Sequence, residues 1–126
     1  MEKNIFAKIR DGDKECPADI ILKNEYITAF KDIEPSAPFH IIIIPNKEIK
    51  TSNDIEVEDV TMLGHLFLAA RDIAKKYEIN ESGYRLIMNC NKDSGQEIFY
   101  IHFHLVGGCP LGKIFKLPKS SKKMIN

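Results

Sequence analysis

One long amphipathic helix set among short β-prone runs restricts this 126-residue chain more than any other feature. Val60, Leu63, Leu66, Phe67, Ala70, Ile73, Ala74 and Tyr77 recur at helical spacing across residues 58–77, the pattern of a helix that buries one stripe. Glu56, Glu58 and Asp59 stand at its start and Lys75 and Lys76 at its end, which complements the helix dipole. The remaining apolar runs have strand length. Residues 20–23 and 26–32 flank Asn24-Glu25 as a hairpin. Residues 40–44 are apolar on both faces and end at Pro45-Asn46, as in a central strand. Residues 84–89 and 96–105 supply two more. A short helix precedes them, with Asn4 as N-cap, Ile5, Phe6 and Ile9 on one side, and Asp11-Gly12 as its stop. Strands grouped apart from one dominant helix predict an α+β domain with a five-stranded antiparallel sheet. No repeat or linker divides residues 1–126, which read as a single domain with a tail from about residue 113.

Composition removes several classes of function. Eighteen basic residues balance eighteen acidic ones, and 44% of the chain is hydrophobic. That excludes a disordered chain and one whose bulk charge drives nucleic-acid binding. The charge is uneven along the chain: thirteen basic and eighteen acidic residues up to Glu97 leave −5, and five lysines follow with no acid among them. No run reaches the roughly 18 apolar residues of a membrane span, and Met1-Glu2-Lys3-Asn4 leads into no signal core. Cys16, Cys90 and Cys109 are odd in number and lack CxxC spacing, so free thiols in a reducing cytoplasm are expected.

The chemistry concentrates near the last strand. Alternation puts Tyr100, His102 and His104 on one face and Ile101, Phe103 and Leu105 on the other. The apolar face suits packing against the long helix, and the histidine face then looks into a cleft, with His40 on an adjacent strand. Three readings fit such residues: a solvated or satisfied pair, a three-histidine zinc site, or an imidazole nucleophile. Gly95-Gln96 ahead of the strand offers loop amides suited to anionic oxygens, which favours phosphoryl chemistry. An imidazole titrating near its ordinary value of about 6.5 is largely neutral at pH 7 and needs no added base to attack.

Gly95-Gln96-Glu97-Ile98-Phe99-Tyr100-Ile101-His102-Phe103-His104-Leu105-Val106-Gly107-Gly108 resembles the signature of the histidine-triad nucleotide-binding proteins, and the Hint branch of nucleoside phosphoramidases is the nearest pattern. The similarity is collinear, through Ile5-Phe6-Ala7-Lys8-Ile9, Phe30 to His40, Ile44-Pro45, Gly64-His65-Leu66, Gly83-Tyr84-Arg85 and Asn89. The resemblance implies the HIT-like fold and cleavage of the P–N bond of purine nucleoside phosphoramidates, releasing AMP or GMP. It makes His102 the nucleophile that carries the nucleotidyl group, His104 a donor to phosphate oxygens, and His40 a supporting histidine. It further implies a nucleotide site of Ile5, Phe6, Ile9, Phe30, Lys31, Asp32, Ile33, Asn89, Gly95, Gln96 and Glu97, with Asp32 on the ribose hydroxyls. Ile5, Ile9 and Ile33 are equally the residue types of an ordinary core. A homodimer with joined sheets is implied, with no metal and no cofactor.

Two positions depart from the pattern. Tyr100 replaces the first histidine and is expected to hydrogen-bond His40 through its hydroxyl. Glu97 stands where the Hint pattern has serine; a carboxylate about 4 Å from a phosphate costs of order 1–4 kcal/mol, so it either faces solvent, the favoured expectation, or is held protonated as a donor to the leaving group. Asn4 and Ala7 replace zinc-binding cysteines of several relatives. His65 reads as a surface or helix-packing residue. Three rivals stand beside the phosphoramidase: a nucleotide-binding protein with little or no catalysis, a dinucleoside polyphosphate hydrolase, and a zinc hydrolase.

Overall fold

A computed structural model of the chain describes residues 3–114. Helix α1 spans Ile5–Arg10, and strands β1, β2 and β3 span Ile20–Lys23, Ile27–Lys31 and Phe39–Pro45. Helix α2 is Val60–Lys76, followed by β4, Tyr84–Ile87, and β5, Phe103–Gly107. The strands form one antiparallel sheet in the order β1-β2-β3-β5-β4, as the sequence predicts.

Local chemistry accounts for most boundaries. The Asn4 side chain accepts from the Phe6 amide at 2.8 Å and starts α1. Gly12, with φ +75°, takes the chain away after it. Asn24 turns the β1–β2 hairpin by accepting from the amides of Tyr26 and Ile27. A single-turn helix, Val57–Asp59, leads into α2; within it Asp59 is buried and receives the Lys47 ammonium at 2.7 Å.

The sheet separates two apolar clusters. On one side α2 lays Leu66, Ala69, Ala70 and Ile73 against Ile27, Ala29, Ile41, Ile43, Phe103 and Leu105. On the other, α1 lays Phe6, Ala7 and Ile9 against Phe30, Ile42, Ile44 and Tyr100. Period-two alternation along β2 and β3 sends successive residues to opposite clusters. Phe103 and Leu105 reach the α2 side, as alternation requires. His65 stacks on Tyr26 with ring centroids 3.9 Å apart, a packing role.

One expected strand is shorter than predicted. The 96–105 run becomes a strand only at Phe103, because pairing with β3 stops at Ile43–Phe103. Two residues further along β3 is Pro45, which has no amide to donate. Residues 98–100 bend instead. They are held by the Gln96 side chain, which donates to the carbonyls of Lys50 and Ile98, and by the Ile101 amide, which donates to Ile49 at 2.7 Å. Phe115, Lys116, Leu117, Lys119, Lys122 and Lys123 of the expected tail lie outside the described residues.

Candidate active site

The register of the sheet builds the histidine cluster. His40 lies on β3 opposite Val106, and Ile42 lies opposite His104, so the two histidines are diagonal neighbours on one face. Their rings bond directly, His40 Nε2 to His104 Nδ1 at 2.9 Å. His102, just before β5, brings its ring centroid to 4.8 Å from that of His104. Phe6 of α1 meets His102 edge-on at 4.9 Å.

Hydrogen-bond partners assign each ring's proton. The Ser36 amide donates to His40 Nδ1 at 3.0 Å, so neutral His40 carries its proton on Nε2 and donates it to His104 Nδ1. His104 then holds its own proton on Nε2, as a donor. His102 donates Nδ1–H to the Tyr100 carbonyl at 2.8 Å, which leaves the Nε2 lone pair as its reactive atom.

Burial keeps the cluster neutral. Desolvation lowers His40 and His102 below their ordinary value, partly opposed by the Asp32 carboxylate. His104 falls to about 4, first through desolvation and then through its two histidine neighbours. Asp32 Oδ2 stands 3.4 Å from His40 Nε2.

A cavity of about 640 Å³ opens in front of these rings, within the range of small-molecule sites. Ile5, Phe6, Ile9, Phe30, Lys31, Asp32, Ile33, Asn89, Gly95, Gln96, Glu97, His102 and His104 all line it. His40 and Tyr100 stand behind it. Ile5 and Ile33 are 47% and 80% exposed, so these two are pocket wall and not the core that their residue type suggests; Ile9, at 7%, serves as both. Glu97 is exposed on the cavity wall, the solvent-facing placement favoured from the sequence.

Two expectations fail. The Tyr100 hydroxyl does not reach His40: it donates to the Pro45 carbonyl at 2.5 Å and lies 3.4 Å from Arg10. Tyr100 is fully buried with the α1 cluster, and both His40 nitrogens already have other partners. The amides of Gly95 and Gln96 are also committed, to the carbonyls of Lys92 and Asn91, because Gly95 closes a single-turn helix in the left-handed conformation. The next two amides, of Glu97 and Ile98, donate to no described residue and take over as the available loop donors.

Sequence reasoning missed Ala18, Glu34, Ile42 and Ile98 in the wall, together with the Ser36 amide and Arg10. Ile42 was findable: it shares the sheet face of Phe30 and Ile44. The side-chain atoms of Asp32, His40 and His104 lie within 4.8 Å of one another, which raises the question of a metal. The Ser36 amide holds the His40 proton on the nitrogen that an ion would require, so the trio is built as a hydrogen-bonded chain.

Residues 13–111 match the HIT domain model. The chain is 50% identical over 111 residues to the purine nucleoside phosphoramidase of Escherichia coli (strain K12), covering 88% of this chain and 92% of that protein. A HIT family hydrolase from Legionella pneumophila superposes with a TM-score of 0.82 at 41% identity, over 86% of this chain and 95% of the other. A HIT family hydrolase from Clostridium thermocellum gives 0.85 at 39% identity, over 91% and 99%. The chain thus belongs to the HIT domain family, and its expected likeness to the Hint-type phosphoramidases holds.

Proposed function

We propose that this chain hydrolyses the P–N bond of purine nucleoside 5′-phosphoramidates through a nucleotidyl-histidine intermediate. The observation that carries the reading is His102: a neutral ring, its proton tied to a carbonyl and its Nε2 lone pair available, on the wall of a cavity lined by both apolar and polar side chains. Ile5, Phe6, Ile9, Phe30 and Ile33 suit a flat base, and Asp32 accepts the ribose hydroxyls in charge-assisted bonds. His102 Nε2 forms a bond to phosphorus as the P–N bond breaks, and the amine departs with a proton taken from solvent water at the open mouth of the cavity. His104 Nε2–H and the Glu97 and Ile98 amides hold the phosphate oxygens. Water then attacks phosphorus from the vacated side and gives its proton to solvent, the bond between His102 Nε2 and phosphorus breaks to restore the neutral ring, and the nucleoside monophosphate leaves.

The 50% identical relative named a purine nucleoside phosphoramidase supports this substrate class. Glu34 and Glu97 on the cavity wall disfavour polyphosphates, which sets the dinucleoside polyphosphate reading behind it. Among the described residues no helix is long and apolar enough to cross a membrane; we place the protein in the cytoplasm as a homodimer.

Incubation with adenosine 5′-phosphoramidate, with and without chelator, tests the reaction. AMP is expected to accumulate in both arms. His102→Ala is expected to lose turnover by roughly a thousandfold or more while AMP affinity stays within about threefold. Product that accumulates with no adduct trapped by rapid quenching refutes the intermediate. AMP binding without any product assigns a binding protein, and activity lost to chelator and restored by zinc assigns a metal hydrolase.

A further inference from the structure

A histidine side chain in water prefers its proton on Nε2, so a ring that attacks through Nε2 needs an acceptor fixed at Nδ1. In this chain that acceptor is the Tyr100 carbonyl, 2.8 Å from His102 Nδ1. It does not belong to the β-ladder, because β5 begins only at Phe103 and residues 98–100 form a bend. The 100–101 peptide is held on its amide side by the bond from Ile101 to the Ile49 carbonyl. On the other side Tyr100 is held by its own amide, which donates to the Ile98 carbonyl at 3.0 Å, and by its side chain.

The side-chain anchor has three parts. The Tyr100 hydroxyl donates to the Pro45 carbonyl at 2.5 Å. One Arg10 guanidinium nitrogen lies 3.0 Å from the Asn46 carbonyl and 3.4 Å from the Tyr100 hydroxyl, and the guanidinium carbon sits 5.9 Å from the ring centre. Arg10 is itself locked by a two-pronged pairing with Asp11. Phe6, one helical turn before Arg10 on α1, touches both rings, Tyr100 at 6.3 Å and His102 at 4.9 Å. The helix thus grips Tyr100 at its hydroxyl end and its ring face together.

We propose that Arg10 is a positioning residue for His102: through the Tyr100 side chain it fixes the peptide whose carbonyl keeps the His102 proton on Nδ1. The proposal rests on the reading of His102 as nucleophile for its kinetic consequence, but not for its structural one. Tyr100, the departure from the histidine-triad pattern, then belongs with Arg10 as one device.

The test uses the full chain with Arg10→Met, Arg10→Lys and Tyr100→Phe, read by turnover of adenosine 5′-phosphoramidate and by long-range ¹⁵N–¹H NMR of the His102 ring. Wild type is expected to show a single Nδ1–H tautomer. Arg10→Met and Tyr100→Phe are expected to mix tautomers and lower kcat about tenfold, a mild case of the loss that follows a misplaced imidazole proton, with KM changing less than about threefold. Arg10→Lys is expected to recover most of both. Should Arg10→Met not fold, Tyr100→Phe carries the test alone. A His102 ring that stays wholly Nδ1–H in the folded variants overturns the proposal, whether kcat is unchanged or falls together with thermal stability. Wild type with the expected tautomer but no turnover sinks the phosphoramidase reading and leaves this one standing.

Discussion

In the histidine cluster the fold pushes His104 well below its ordinary value, and the sign of the effect on stability is fixed. Its value of about 4 in the folded state lies below the 6.5 of the unfolded chain, with burial the leading cause and the rings of His40 and His102 the next. Above pH 6.5 neither state binds the proton, so the contribution to stability is complete. Between 6.5 and 4 the unfolded chain takes up a proton that the folded chain refuses, and stability falls as pH descends. His40 and His102 act in the same direction, and Asp32, the carboxylate nearest the group, opposes all three. Urea denaturation at pH 7 and pH 5 is expected to give a lower midpoint at pH 5, and an NMR titration of His104 a midpoint well under 6.5. A His104 midpoint at or above 6.5 contradicts the account. The acidic limb of kcat/KM follows the same logic and is expected below pH 6.5. At this scale the sequence was informative where chemistry is local: spacing alone set His102 and His104 side by side. It was silent on Tyr100 and Arg10, which meet across 90 positions of chain, and on the Ser36 amide, which depends on how the proline loop folds back over His40.

At the level of elements, the end of β5 is the point most sensitive to a small change. Gly108 has φ +86°, a conformation that side-chain-bearing residues rarely adopt. A Cβ built there meets the Pro38 Cβ at 3.2 Å and the Phe39 amide nitrogen at 3.3 Å. Gly108→Ala is therefore expected to cost about 1–3 kcal/mol, seen as a lowered Tm by differential scanning calorimetry. A Tm unchanged within error removes the strain argument. The helices and the first hairpin were legible because their signals are short-range: 3.6-residue periodicity, an asparagine cap, a polar two-residue turn. The start of β5 was not. Its extent depends on Pro45 in a partner strand more than fifty residues away, and the alternating pattern of residues 96–105 continues regardless of where pairing ends.

Among the described residues, the flank formed by β4 and the outer side of α2 carries exposed apolar side chains. Helix α2 packs across β2 and β3, and β4 is an edge strand, paired among the described residues only with β5. Val60 and Phe67 are 64% and 57% exposed on α2, on the stripe that also carries exposed Gly64 and Leu68. A second copy that continues the sheet at β4 and covers this stripe is the arrangement we expect. Light scattering is expected to give twice the 14.4 kDa chain mass, and Phe67→Asp to shift it to the monomer. A monomeric wild type at micromolar concentration would show that the flank has another use.

The sheet also acts as a partition, with α2 docked on one side and the reactive pocket on the other. Damage to the α2 side shrinks the fraction of molecules that are folded while each survivor works at full speed. Damage to the α1 side lowers abundance as well, since Phe6, Phe30, Ile42, Ile44 and Tyr100 are a buried cluster, and in addition slows each copy, because that cluster backs the pocket. Variants of this chain should accordingly sort into a class that loses dosage alone and one that loses dosage and quality together, divided by the face of a strand on which the altered side chain sits.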